Sequence, residues 1–124
     1  MLTNAEMDSQ SPFAGILLGQ PTLRKKLRMG SFAALDQRIT LRYELPGMTE
    51  QESAEYVRHH LQLAGRKDNV FADDALELLH RSARGIPRQL NNLAAQALIA
   101  CYAEQKATVD LTCAQAAVAE VQAE

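Results

Sequence analysis

Cysteine is scarce in this sequence: Cys101 and Cys113 are its two thiols. Neither belongs to a Cys-x-x-Cys pair or lies beside a histidine at ligand spacing, which excludes a zinc site and leaves no framework of disulfides. Cys101 falls in the apolar run Ala97-Leu98-Ile99-Ala100-Cys101-Tyr102 and reads as a small buried hydrophobe in a reducing compartment. Long hydrophobic runs are also missing, and none approaches the ~20 residues that span a bilayer. Glu6 and Asp8 stand where a secretory leader would carry positive charge. Basic excess is absent too: thirteen Lys plus Arg against fifteen Asp plus Glu give a formal net charge of -2. That balance does not suit a protein that coats nucleic acid, so any basic site must be local. Aromatic side chains are few, and Tyr43, Tyr56 and Tyr102 are too scattered for a base-stacking platform. The expectation is a cytoplasmic protein without a membrane segment or a metal.

What is present falls into two parts with different patterns. Phe13 to Gly19 is a short continuous apolar run closed by Gly19 and Pro21, the pattern of a buried strand in a parallel sheet. Pro21 opens a short amphipathic helix to Met29, with Leu23 and Leu27 on one face and Arg24, Lys25, Lys26 and Arg28 on the other. A second short helix is expected over Ser31 to Gln37, with Ser31 as its cap and Phe32 and Leu35 turned inward. Arg38 to Leu45 alternates with period two, placing Ile39, Leu41, Tyr43 and Leu45 on one side of a half-buried strand that Pro46-Gly47 stops. Two parallel strands cannot hold a sheet alone, so their partners are expected upstream of Met1.

After Gly47 the pattern is helical throughout. Thr49-Glu50-Gln51-Glu52 is a capping box for a helix running to about Ala64, with Gly65 ending it. A second helix covers Asp73 to Arg84, with acidic residues in its first turn and Gly85 as terminator. Pro87 starts a third helix through Glu104, carrying Leu90, Leu93, Ala94, Ala97, Leu98 and Cys101 on its apolar face. Thr112-Cys113-Ala114-Gln115 reads as a second capping box, opening a final helix to about Val121. The expected fold is therefore an α/β fragment, two strands of a parallel sheet with short helices over 1–47, followed by an all-α four-helix unit over 48–124. The whole is predominantly helical.

Three stretches in this order carry a resemblance: Leu18-Gly19-Gln20-Pro21-Thr22-Leu23, then Asp36-Gln37-Arg38-Ile39, then Gly85-Ile86-Pro87-Arg88-Gln89-Leu90-Asn91-Asn92-Leu93. The chain resembles the C-terminal half of AAA+ ATPases, and within them the subgroup holding general secretion pathway A-type ATPases and the ATP-binding accessory proteins of transposons. The resemblance covers nearly the whole chain. It implies that 1–47 is the end of the nucleotide-binding core and 48–124 the helical lid, in an oligomer that uses ATP and Mg2+. The Gly-x-x-x-x-Gly-Lys-Ser/Thr loop that cradles phosphates does not occur, nor does a hydrophobic strand ending in an acidic pair for magnesium. This chain alone is expected to bind no nucleotide tightly and to be no enzyme. The expected parent is a full-length ATPase, of which this chain is a truncated piece.

Residue by residue, the resemblance implies that Gln20 is the sensor-1 side chain that orients the attacking water, although many relatives carry asparagine there. The plain alternative is that Gln20 fills the turn before Pro21. Arg38 matches the arginine finger that one subunit inserts into its neighbour; a planar, always charged guanidinium suits oxygens gaining charge in the transition state. Its alternative is a surface pair with Asp36 or Glu44, and Arg42 is the substitute finger. Arg88 matches the sensor-2 arginine of the lid, projecting from a first turn fixed by Gly85 and Pro87. A cation there opposes the helix dipole, so stability explains it poorly. The cluster Arg24, Lys25, Lys26 and Arg28 is a candidate DNA contact or, more plainly, a solvated helix face. His59 and His60 diverge on their helix, and His80 stands alone. Three functions remain: DNA transposition with a transposase as partner, as the leading one; an ATPase of secretion or pilus assembly; and a stand-alone helical interaction domain. Self-association, including strand exchange between copies of the fragment, is expected.

Overall fold

A computed structural model of the chain describes residues 13–123. Glu6 and Asp8, used above against a secretory leader, lie outside them. The chain divides into two compact units, one ending at Glu44 and the other beginning at Leu45.

The first unit contains α1 (Pro21–Leu27), a turn of 3-10 helix (Gly30–Phe32) and α2 (Ala33–Arg38). Pro21 occupies the first turn of α1, as its fixed φ favours. Leu27 is buried, while the four cations around it are exposed. Two expectations fail here. Ser31 does not cap a helix, because it lies inside the 3-10 turn, and α2 begins without a side-chain cap. Phe32 is exposed rather than inward. The larger correction concerns the sheet: residues 13–20 and 39–45 are not paired as strands, and no strand forms among the described residues. Alternation names the face that a partner would bury, but a strand exists only through bonds to a neighbour, and neither segment finds one. Ile16 is accordingly 90% exposed, and Leu41 is 84% exposed.

The second unit is built from α3 (Glu50–Leu63), α4 (Asp73–Ala83), α5 (Pro87–Ala103) and α6 (Leu111–Ala123). Local chemistry sets its boundaries. Thr49 accepts a hydrogen bond from the Glu52 amide at 3.2 Å while the Glu52 carboxylate accepts from the Thr49 amide at 2.7 Å, so the capping box forms as the sequence indicates. Gly65 follows α3 at φ +91°, a conformation that glycine adopts without steric penalty. Arg84 closes α4 in the left-handed region at φ 53°, and Gly85 continues at φ 69°.

The start of α6 differs from expectation. Asp110 rather than Thr112 is its cap: one Asp110 oxygen accepts from the Cys113 amide at 3.0 Å, and Thr112 donates its own hydroxyl to that carboxylate at 2.6 Å. The two lone pairs of Oδ1 serve both donors while Oδ2 accepts from Lys106, and the Thr112 hydroxyl is consumed in bracing the carboxylate.

α5 packs on α6 and α4, and α3 packs on α4 and α5. Leu79 and Leu90 are fully buried, with Val109 and Cys113 beside them in the same core. Small residues on α6, Cys113, Ala114 and Ala117, are all buried where it meets its neighbours. One feature had no sequence signature. The loop before α4 meets the loop before α6 in an isolated parallel bridge between Phe71 and Val109. Two bonds close it, from the Val109 amide to the Val70 carbonyl at 2.8 Å and from the Ala72 amide to the Val109 carbonyl at 2.9 Å. They satisfy backbone groups that the burial of Val70, Phe71 and Val109 takes out of water. Among the described residues, no helix is long and apolar enough to cross a membrane.

Candidate functional site

Gln20 and Arg38 belong to the first unit and Arg88 to the second, so each is described in its own surroundings. Gln20 stands at the N-cap of α1 with extended backbone, φ -67° and ψ 165°. Its carbonyl accepts the Leu23 amide at 2.8 Å, but its side chain makes no capping bond and is exposed. The terminal amide is therefore not consumed in closing the helix.

Arg38 is the last residue of α2 and is exposed; beyond it the chain leaves in extended conformation at Ile39. Arg38 is not without a partner, and the two carboxylates proposed for its surface pair also meet other arginines. Arg42 donates to the Asp36 carboxylate at 2.8 Å and to the Asp36 backbone carbonyl at 2.7 Å. Arg24 pairs with Glu44 at 3.2 Å. Arg42 is thus held against α2 by two bonds. Arg24, Lys25, Lys26 and Arg28 all present exposed side chains, and the Glu44 pair offsets part of the charge of Arg24.

Arg88 is the second residue of α5, after Pro87, in a first turn that contains no acidic residue. It is exposed, and its guanidinium makes no hydrogen bond or ion pair among the described residues. A cation left unpaired at the positive end of a helix gains nothing from the local field, and an incoming anion would meet both the guanidinium and the free amides.

The approach to Arg88 contains a contact that the sequence did not disclose. Gly47 and Gly85 were legible only as turn residues, but their backbones cross. The Met48 amide donates to the Gly85 carbonyl at 2.8 Å. A Cβ on Gly85 would lie 2.1 Å from the Met48 carbonyl oxygen, and one on Gly47 would lie 2.3 Å from the Arg84 carbonyl oxygen. Both positions exclude any side chain. Nothing in the local sequence indicates that these distant glycines meet; at most, Pro46-Gly47 marks a turn.

His80 does not stand alone: its Nδ1 lies 2.8 Å from the hydroxyl of Ser53, which is buried. Either tautomer of the ring satisfies that hydroxyl, which donates to or accepts from Nδ1. Tyr56 and His60 lie against each other along α3 with ring centroids 4.4 Å apart and planes inclined at 55°. Cys101 and Cys113 are both buried, and burial, the largest influence, pushes the Cys113 thiol up from its ordinary value. No group of three or more His, Cys, Asp or Glu that could hold a metal ion occurs among the described residues.

Neither a family model nor a solved structure matches this chain. General secretion pathway protein A of Aeromonas hydrophila aligns with it over 103 residues at 43% identity. This chain is similar to a secretion-pathway protein. The aligned span covers 83% of the chain and 19% of general secretion pathway protein A, so the chain spans about a fifth of that relative's length. A match of that extent is longer than the helical unit from Leu45 onward, so the likeness to general secretion pathway protein A reaches into the unit before it.

Proposed function

We propose that this chain is the C-terminal half of an AAA+ ATPase module in a general secretion pathway A-type protein, comprising the end of a nucleotide-binding core and its helical lid. The observation that carries this reading is the 43% identity to general secretion pathway protein A over 103 residues. That similarity favours secretion over transposition, which ranked first on sequence alone. The Arg24 to Arg28 cluster is a DNA contact only within the transposition reading. The third reading, a stand-alone helical domain, gives no account of a likeness that begins before the helical unit.

In this role Gln20 orients the attacking water, Arg38 supplies charge to the neighbouring subunit's transition state, and Arg88 contacts the phosphates from the lid. ATP and Mg2+ bind chiefly through residues outside this stretch. Phosphoryl transfer asks little covalent chemistry of the protein, so three positioned polar side chains are a sufficient contribution. Secretion relatives act as oligomers under this proposal, because a finger in trans needs a neighbour.

The test is a chimera in which the aligned segment of general secretion pathway protein A is replaced by this chain. The expected result is retained secretion and ATP turnover. Arg38→Ala in the chimera is expected to keep nucleotide binding and lose turnover by on the order of 10³-fold, as removal of an arginine finger does. Arg88→Ala is expected to impair turnover or nucleotide-coupled assembly. A chimera that secretes normally with both arginines replaced would remove these roles.

A further inference from the structure

The head of α3, the end of α4 and the root of α5 meet where Gly47 and Met48 cross the turn between α4 and α5. The Met48 amide donates to the Gly85 carbonyl at 2.8 Å. The Arg84 carbonyl faces Gly47 so closely that a Cβ there would lie 2.3 Å from its oxygen. The next amide along, that of Thr49, donates to the Glu52 carboxylate at 2.7 Å and so belongs to the cap of α3. Met48 itself packs, partly buried, against the core. Two successive amides are thus engaged in opposite directions, one with the root of α5 and one with the head of α3, which leaves the segment no slack.

From Gly85 to Arg88 the chain is equally short of freedom. The Ile86 amide donates to the Ala83 carbonyl at 3.0 Å, and the Ile86 carbonyl accepts the Leu90 amide at 2.9 Å. The ring of Pro87 fixes its φ. A displacement at Gly85 is therefore not absorbed before Arg88 but carries the first turn of α5 with it. The third glycine of this unit shows the contrast. Gly65 has φ +91°, yet nothing lies within 4 Å of a Cβ built there, so a side chain at Gly65 meets conformational strain alone. At Gly47, which is outside the left-handed region, a side chain meets overlap alone. The overlapped atom is a main-chain carbonyl oxygen, which cannot swing aside as the end of a side chain does, so two backbones must part.

We propose that Gly47 and Gly85 are positioning residues for Arg88: the close crossing of their backbones sets where the first turn of α5 stands and hence the direction from which the guanidinium meets a phosphate. This role rests on the reading of Arg88 as the phosphate contact of the lid. It extends that reading to two residues that act without a side chain, through Arg88. Relief of a 2.3 Å overlap to ordinary contact at 3.4 Å or more moves the two backbones apart by on the order of 1 Å. A misplacement of that size costs about 100-fold in rate when it reaches a group that must be aligned with a reacting phosphate.

The first measurement uses the full chain. The Met48 amide is expected to exchange its hydrogen as slowly as amides in the middle of α4, and exchange at the rate of an open loop would overturn the proposal. Gly47→Ala is expected to shift the amide resonances of Arg88 and Gln89, whereas Gly65→Ala leaves them in place; unmoved resonances in Gly47→Ala would overturn it as well. The second measurement uses the chimera, where turnover can be followed. Gly47→Ala is expected to lower turnover by roughly tenfold to 100-fold. Adding Arg88→Ala to it is expected to give no more loss than Arg88→Ala alone, because an arginine already absent cannot be misplaced. Gly65→Ala, strained but without displacement of α5, is expected to turn over as the parent chimera does. Losses that multiply in the double variant, or an equal loss from Gly65→Ala, assign the glycines to stability only and overturn the positioning role. Impaired Arg88→Ala beside normal Gly47→Ala also overturns it and leaves the phosphate contact standing. Normal turnover in Arg88→Ala instead removes the phosphate contact, and the positioning role with it. Should Gly47→Ala fail to fold, exchange at Met48 in the unaltered chain still decides.

Discussion

The two units handle similar apolar content in opposite ways. From Leu45 onward the helices bury Val57, Leu76, Leu79, Leu90 and Leu93 in a common core, whereas before it Ile16, Leu18, Leu41 and Tyr43 are left exposed. The difference lies in where each kind of element finds its hydrogen bonds. A helix closes its backbone bonds within itself and needs neighbours only for one face, so four helices are self-sufficient. An extended segment must borrow a partner for every amide and carbonyl, and its side chains have nothing to pack on until a sheet exists. The lesson is that Leu and Ile, no sparser before Leu45 than after it, specify a core in one unit and an unfinished surface in the other.

The comparison breaks most visibly if the cores are probed by truncation. Leu79→Ala is expected to destabilise the helical unit by about 2–5 kcal/mol, as removal of a fully buried leucine does, while Leu41→Ala changes stability by less than about 0.5 kcal/mol. Urea unfolding followed by circular dichroism measures both, and equal effects would end the distinction. Next in size is Gly85→Ala, which sets a Cβ against the Met48 carbonyl at a left-handed φ and is expected to cost about 1–3 kcal/mol in the same assay. Removal of the capping box follows: Thr49→Ala is expected to cost about 1 kcal/mol and to raise amide exchange in the first turn of α3.

How much of this was legible in the sequence follows the same division. The ends of α3, α4 and α5 could be read because their signals are local: Thr49 with Glu52, Gly85 after Arg84, Pro87 at a first turn. At α6 a neighbouring side chain overrode the motif, since Asp110 takes the capping bond and Thr112 becomes its brace. The two expected strands do not form among the described residues, because a side-chain pattern such as alternation does not supply a partner. The meeting of Phe71 with Val109, and of Gly47 with Gly85, joins residues far apart in sequence without leaving any mark near either. For the candidate site, local sequence placed Gln20 before α1 and Arg88 in the first turn of α5, but it put Arg38 at the head of a strand, where the structure has it as the last residue of α2. Their chemistry rests on the resemblance.

The smallest expected effect is acid sensitivity confined to the helical unit. The Thr112 hydroxyl first, then the Cys113 amide and the Lys106 ammonium, hold the Asp110 carboxyl well below the usual carboxylate range. The Arg66 guanidinium beside Asp68 lowers that carboxyl to about 2. A carboxyl whose folded pKa lies below its unfolded value of about 3.9 contributes stability above that value and loses it as pH falls through the folded pKa. Both groups are at the surface, where solvent screens such interactions, so the slope is small. Unfolding midpoints are expected to be level above about pH 5 and to decline below pH 4. Asp110→Asn keeps a cap and should flatten the decline; an unchanged slope would remove Asp110 from its cause.

The crossing of Gly47 with Gly85 has a mechanical meaning. A tension applied to the chain at Pro46 does not have to travel through α3 and the core to reach the far side of the unit. It arrives at the turn before α5 through one amide and one carbonyl, three residues from Arg88. The incoming strand of polypeptide and the root of α5 thus act as one point of attachment, and filling either glycine with a side chain would pry them apart.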